Sequence, residues 1–227
     1  MLARLTVAAA TAAVLLTARP SAVSAQGADP LPLPYTGNAE QVVAVVADSS
    51  SATTAVLTAW QRSGPSSDDW TVAYGPVKAF VGSDGVGQAS ETTSKTPAGV
   101  WTLTEAFGIQ ANDGTRLPYR QVGTSDWWVS DVKSPLYNTY YHCDPGTCPF
   151  NESAGEDLGE VGPAYDHAVV IDYNRTPVVP GAGSAFFLHV SNGRPTAGCV
   201  AIPADDLKAV MAWLDPVKHP VTDIGVR

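Results

Sequence analysis

FFLHVSNGRPTAGCVAIPADDLKAVMAWL, residues 186–214, opens as an apolar, strand-like run ending at His189. It then crosses a segment of turn formers, Ser191 to Pro195, and becomes apolar again at Val200 and Ile202. Its last part changes period. Leu207, Val210, Met211 and Leu214 recur at helical spacing, with Asp205 and Asp206 near the start, so a helix is predicted over 204–214. No other segment has that spacing. Upstream lie short runs rich in Val, Thr and aromatics, several of them alternating: QVVAVVA from Gln41, TAVLTAWQR from Thr54, DWTVAYGPVKAFVG from Asp69 and GVWTLTEAFGI from Gly99. DWWVSDV from Asp126 and HAVVIDY from His167 continue the series. Short strands at turn-punctuated intervals predict a mostly β domain, sandwich-like or barrel-like, with a C-terminal helix packed on it.

The N-terminus has another character. Arg4 precedes an apolar run from Leu5 to Leu16, followed by small residues ending at Ala25. This is the pattern of a secretory signal peptide over residues 1–25, cleaved after Ala25. A retained membrane anchor is the alternative, although Thr17, Arg19 and Pro20 interrupt the run before the roughly twenty apolar residues a span needs. Residues 26–40, proline-rich and without periodicity, form an extended lead-in, and one domain is expected over 41–227.

The chain carries 13 basic and 22 acidic residues, and loss of Arg4 and Arg19 with the signal would take its formal charge from −9 to −11. That balance argues against nucleic acid, which is bound by neutralising phosphates. No membrane span is expected in the mature chain, which is read as a monomer secreted to the exterior or the cell wall. GSDGVG, residues 82–87, lacks the Lys-Ser/Thr ending of a phosphate loop and reads as a turn.

Three cysteines leave one unpaired in an oxidising compartment. Cys143 and Cys148 flank Asp144-Pro145-Gly146, strong turn chemistry that brings them together, and a small disulfide loop is expected. A zinc site is the alternative, but no second cysteine pair exists, and His142, His167, His189 and His219 show no metal-binding spacing. No metal and no cofactor are expected. The aromatic-rich segment before Cys143 suggests a lid or groove wall.

Cys199 is then the odd cysteine. Taken singly, a Cys between apolar residues is a small core hydrophobe, and a His after Phe-Phe-Leu a satisfied core histidine. Together they suggest a thiol and its general base, because a thiol is nucleophilic only as thiolate and an imidazole is the usual acceptor of its proton. The amides of Ala197, Gly198 and Cys199 are candidate oxyanion donors.

The run from His189 to Thr196-Ala197-Gly198-Cys199 resembles the signature of the L,D-transpeptidase catalytic domain, in which a His is followed by a loop and Ser/Thr-His-Gly-Cys. KTPAGVWTL, residues 95–103, resembles that family's Thr-Pro-x-Gly-aromatic strand, and HAVVIDYN, 167–174, the stretch leading to its catalytic strand. Ala197 replaces a second His, the loop is short, and Val200-Ala201 replaces an apolar-Arg pair.

The resemblance implies a secreted cysteine acyltransferase forming 3-3 cross-links between peptidoglycan stem peptides, with Cys199 as nucleophile, His189 as base and the Val190 carbonyl orienting the imidazole. Thr196, Ala197 and Gly198 fall at substrate or oxyanion positions. Arg194, the one cation in the loop, is a candidate partner for stem carboxylates. The alternatives are an L,D-carboxypeptidase with the same nucleophile and a non-catalytic wall-binding domain.

Overall fold

The computed structural model describes residues 31–64 and 67–227. The expected signal segment and the first part of the lead-in lie outside the described residues. Among them no helix is long and apolar enough to cross a membrane.

The chain forms β1 (Gln41–Ala47), β2 (Thr54–Arg62), β3 (Trp70–Phe80), β4 (Val86–Gly87), β5 (Thr96–Pro97), β6 (Gly99–Thr102), β7 (Ala106–Gly108) and β8 (Tyr119–Gln121). There follow β9 (Asp126–Val129), β10 (Tyr140–His142), β11 (Gly155–Asp157), β12 (Ala168–Val170), β13 (Phe187–Val190) and β14 (Val200–Ile202). Helix α1 (Ala204–Trp213) and β15 (Val221–Val226) complete it. Ten strands make one sheet in the order β6-β15-β1-β2-β3-β14-β13-β12-β7-β8, beside a small sheet β10-β9-β11 and the pair β4-β5. Among the described residues the protein is mostly β, a curled half-barrel with one α-helix, as the sequence predicts.

Alternation decides which face each residue covers. Val43 and Val45 of β1 join Leu57, Leu188, Val200 and Ile202 in the main core, which α1 closes with Leu207, Val210, Met211 and Leu214. Each of those four helix side chains is at most 2% exposed, a burial worth roughly 1.5–3 kcal/mol apiece. The opposite face of β1, Val42, Ala44 and Val46, packs on Trp60 and Trp70 and on Leu31, Leu33 and Tyr35 of the lead-in. Both faces are covered, so β1 is an uninterrupted apolar run.

Two connections position the site. A strand the sequence did not announce, β15, follows the helix and inserts between β6 and β1, parallel to β1. The return from His189 to Cys199 makes β14 parallel to β13. The intervening loop is anchored from outside, with Thr196 bridged to Gly82 and its N–H donating to Val81 O at 2.9 Å.

Candidate active site

Register places the two expected catalytic side chains. In the parallel pair β13–β14, Leu188 faces Val200 and His189 faces Ala201, so Cys199 lies one step earlier, beside Phe187. Leu188, Val200 and Ile202 point into the main core, which sends Cys199 and His189 to the other face. There Cys199 joins Phe107, Trp128, Tyr165 and Phe187, and the His189 ring meets Tyr165 edge-on at 5.5 Å. Thiol and imidazole are thus diagonal neighbours on one face, a separation of about 8 Å between backbones.

The thiol, 9% exposed, is held short of the imidazole. Sγ donates to Ala185 O at 3.4 Å and accepts from Phe187 N–H at 3.4 Å; among the described residues His189 is not a hydrogen-bond partner. Burial pushes the thiol pKa well up, the Glu156 carboxylate adds to this, and the Phe187 amide opposes it. His189 Nδ1–H donates to Val190 O at 2.9 Å, which leaves Nε2 with the free lone pair. Burial lowers the imidazole pKa, against the Val190 carbonyl. Both groups therefore rest neutral.

Gly198 is required by shape. Its φ is +144°, and a Cβ there would come within 2.6 Å of the Phe186 ring. Its N–H is taken by Thr196 Oγ1 at 3.1 Å, so it is not a free oxyanion donor. Thr196 Oγ1 also donates to Cys199 O at 2.6 Å; this hydroxyl braces the loop internally rather than facing a substrate. The N–H groups of Ala197 and Cys199 have no partner among the described residues and remain as donors. Arg194 is exposed and is not among the residues lining the cleft at the thiol; it sits in a turn closed by Ser191 Oγ and Asn192 Oδ1, which accept the Gly193 and Arg194 N–H groups.

That cleft, about 500 Å³, has Cys199, Gly198 and Ala197 on one side and Glu91, Ser130, Glu156 and Ser184 on others. Of the aromatic-rich segment Ser130 lines the cleft, while its Trp128 packs on Phe187 with ring centroids 5.0 Å apart; β11 brings Glu156 to the lining. Cys143 and Cys148 form the disulfide of this lobe, leaving Cys199 as the free thiol among the described residues. Glu91, Glu156 and Tyr165 were not singled out by sequence, since no spacing links them to Cys199. Thr96, inside the quoted Thr-Pro motif, reaches the site too: its Oγ1 accepts from Gly82 N–H at 2.8 Å and donates to Cys199 O at 3.3 Å. Among the described residues no group of three or more His, Cys, Asp or Glu could hold a metal.

The family model described as YkuD, the L,D-transpeptidase catalytic domain, matches residues 43–222. Comparison with curated proteins gives no match, and comparison with solved structures gives none.

Proposed function

Because the chain belongs to the YkuD family of L,D-transpeptidase catalytic domains, we propose that it is a secreted enzyme that forms 3-3 cross-links in peptidoglycan through an acyl-enzyme on Cys199. The observation that carries this reading is the free thiol at the cleft, beside two unpartnered amides and on the same sheet face as an imidazole whose Nδ1 is already tied. Export is supported by the signal-like residues 1–25 and by the Cys143–Cys148 disulfide.

In the first step, rotation about χ1 of Cys199 releases Sγ from Ala185 O and turns it toward His189. Nε2 takes the thiol proton, and the thiolate attacks the carbonyl of the third stem residue. The developing oxyanion is received by the N–H groups of Ala197 and Cys199. The bond to the terminal D-alanine breaks, its nitrogen takes the proton from His189, and a thioester remains. In the second step the side-chain amine of another stem attacks the thioester, loses a proton to His189, and the thiol re-forms. Arg194 is not among the residues lining the cleft and is given no part in this scheme.

The test is incubation of the purified protein with a tetrapeptide donor and an amine acceptor. Cross-linked dimer, with an acyl adduct on intact protein that Cys199→Ala lacks, is expected. Tripeptide alone would assign water as the acceptor and make the enzyme a carboxypeptidase; no adduct under any donor would overturn the enzymatic reading.

A further inference from the structure

Glu156 is the carboxyl nearest in effect to the thiol, and only part of it is used. Its Oε2 accepts the Tyr165 hydroxyl at 2.5 Å, while Oε1 has no hydrogen-bond partner among the described residues. No ion pair among the described residues involves it. The residue is placed by β11, whose backbone pairs Glu156 with Trp128, and its side chain is held by Tyr165, whose ring sits against Phe187 and His189 at 5.6 and 5.5 Å. The free oxygen belongs to a residue lining the same cleft as Cys199, and neither Lys nor Arg is among the lining residues. Lys95, closest in sequence to that wall, is turned to Asp84 O at 2.9 Å. Glu91, also on the cleft, accepts two hydroxyls, those of Tyr137 and Ser184, both at Oε1, where Glu156 accepts one.

We propose that Glu156 determines specificity in this cleft, its Oε1 taking the side-chain ammonium of a diamino residue in the donor peptide. An ammonium suits the position because it supplies both the missing donor and the missing positive charge. The surrounding hydroxyls of Ser130 and Ser184 can serve its other protons. A carboxylate-ended side chain would meet two like charges. Burial raises the Glu156 carboxyl above its ordinary range, against the Tyr165 hydroxyl, and an ammonium at Oε1 would favour its ionised form. This inference rests on Cys199 being the nucleophile.

Two measurements separate the inference from that premise. The first uses reagents instead of substrates: the rate of Cys199 modification by cationic aminoethyl methanethiosulfonate against anionic sulfonatoethyl methanethiosulfonate, each normalised to free cysteine. The native protein should favour the cation at least tenfold. Glu156→Gln should remove most of that preference and Glu156→Asp restore part of it. The second compares acylation by tetrapeptide donors carrying lysine or N-acetyl-lysine at the third position. The native enzyme should favour lysine by roughly tenfold to a hundredfold, the range of a charge-assisted hydrogen bond, and the ratio should collapse in Glu156→Gln. Equal loss toward both donors in that variant would mark a structural role and overturn the proposal. So would an unchanged ratio. If no donor acylates the native protein, the transpeptidase reading fails by itself; the reagent ratio then judges the charge at Glu156, and an indifferent ratio overturns this inference as well.

Discussion

The hydroxyl of Thr96 donates to the carbonyl oxygen of Cys199 at 3.3 Å across 103 positions of sequence, and both residues are buried. The same oxygen takes the Thr196 hydroxyl, so two threonines from separate segments hold the backbone of the thiol residue. Replacing Thr96 with Val would leave the Gly82 N–H without its acceptor in a dry site. The expected cost is about 1–2 kcal/mol of stability, read as a lower denaturant midpoint, with slower Cys199 acylation. An unchanged midpoint would mean that the loop supports itself.

Gly198→Ala should be more severe. The positive φ and the collision with Phe186 act together, and a loss of roughly 2–3 kcal/mol is expected. Calorimetry checks this. Pairing the substitution with Phe186→Leu should recover the steric part and leave the backbone part.

His189→Gln should reduce acylation about 10²- to 10⁴-fold, the usual worth of a general base, with the fold intact by circular dichroism. The pH profile carries a sign. Burial lowers the imidazole pKa below its ordinary 6.5, so the neutral, proton-accepting form persists to lower pH. The acidic limb of the acylation profile should therefore have its midpoint below 6.5; a midpoint above it would mean that another group is titrating.

Asp223 gives a stability effect remote from the cleft. Burial pushes its carboxyl up to about 6, above the 3.8 of an ordinary aspartate. Between those values the folded state binds more protons than the unfolded chain, so this residue's contribution falls as pH rises from 4 to 6 and stays low above that. Asp223→Asn should be nearly neutral at pH 4 and stabilising by on the order of 2 kcal/mol at pH 7. Melting curves at the two pH values suffice, and equal shifts at both would refute the linkage.

Removal of the Cys143–Cys148 bond by the double substitution to Ser should cost about 2 kcal/mol, the value for closing so short a loop. The ten-stranded sheet should survive. The lobe of β9, β10 and β11 should loosen first, seen as faster amide exchange at Trp127 and Trp128 than in β1.

The sequence was readable where local pattern and burial coincide. QVVAVVA announces a strand covered on both faces, and the spacing from Leu207 to Leu214 places α1 within one residue of its observed end. VTDIGV was not legible as a central strand because Thr222 and Asp223 look like surface residues. Burial of Thr222 is made tolerable by a partner known only after folding, the Val43 carbonyl at 3.0 Å. The site divides in the same way. Cys199 stands out by cysteine count and His189 by proximity in sequence, whereas Glu156 reaches the cleft on β11 and Tyr165 is tied to the site through Glu156 and His189. Arg194 shows the converse: it is close to Cys199 in sequence but exposed, and not among the residues that line the cleft.

The position of β15 governs the order in which this domain can form. β15 lies between β1 and β6, hydrogen-bonded to both, so the sheet cannot be completed until Val221–Val226 have been made. Until then the inner edge of β1 has no neighbour on that side. Joining the first strand to one made about 180 positions later is a contact of high sequence separation, and such pairings form slowly.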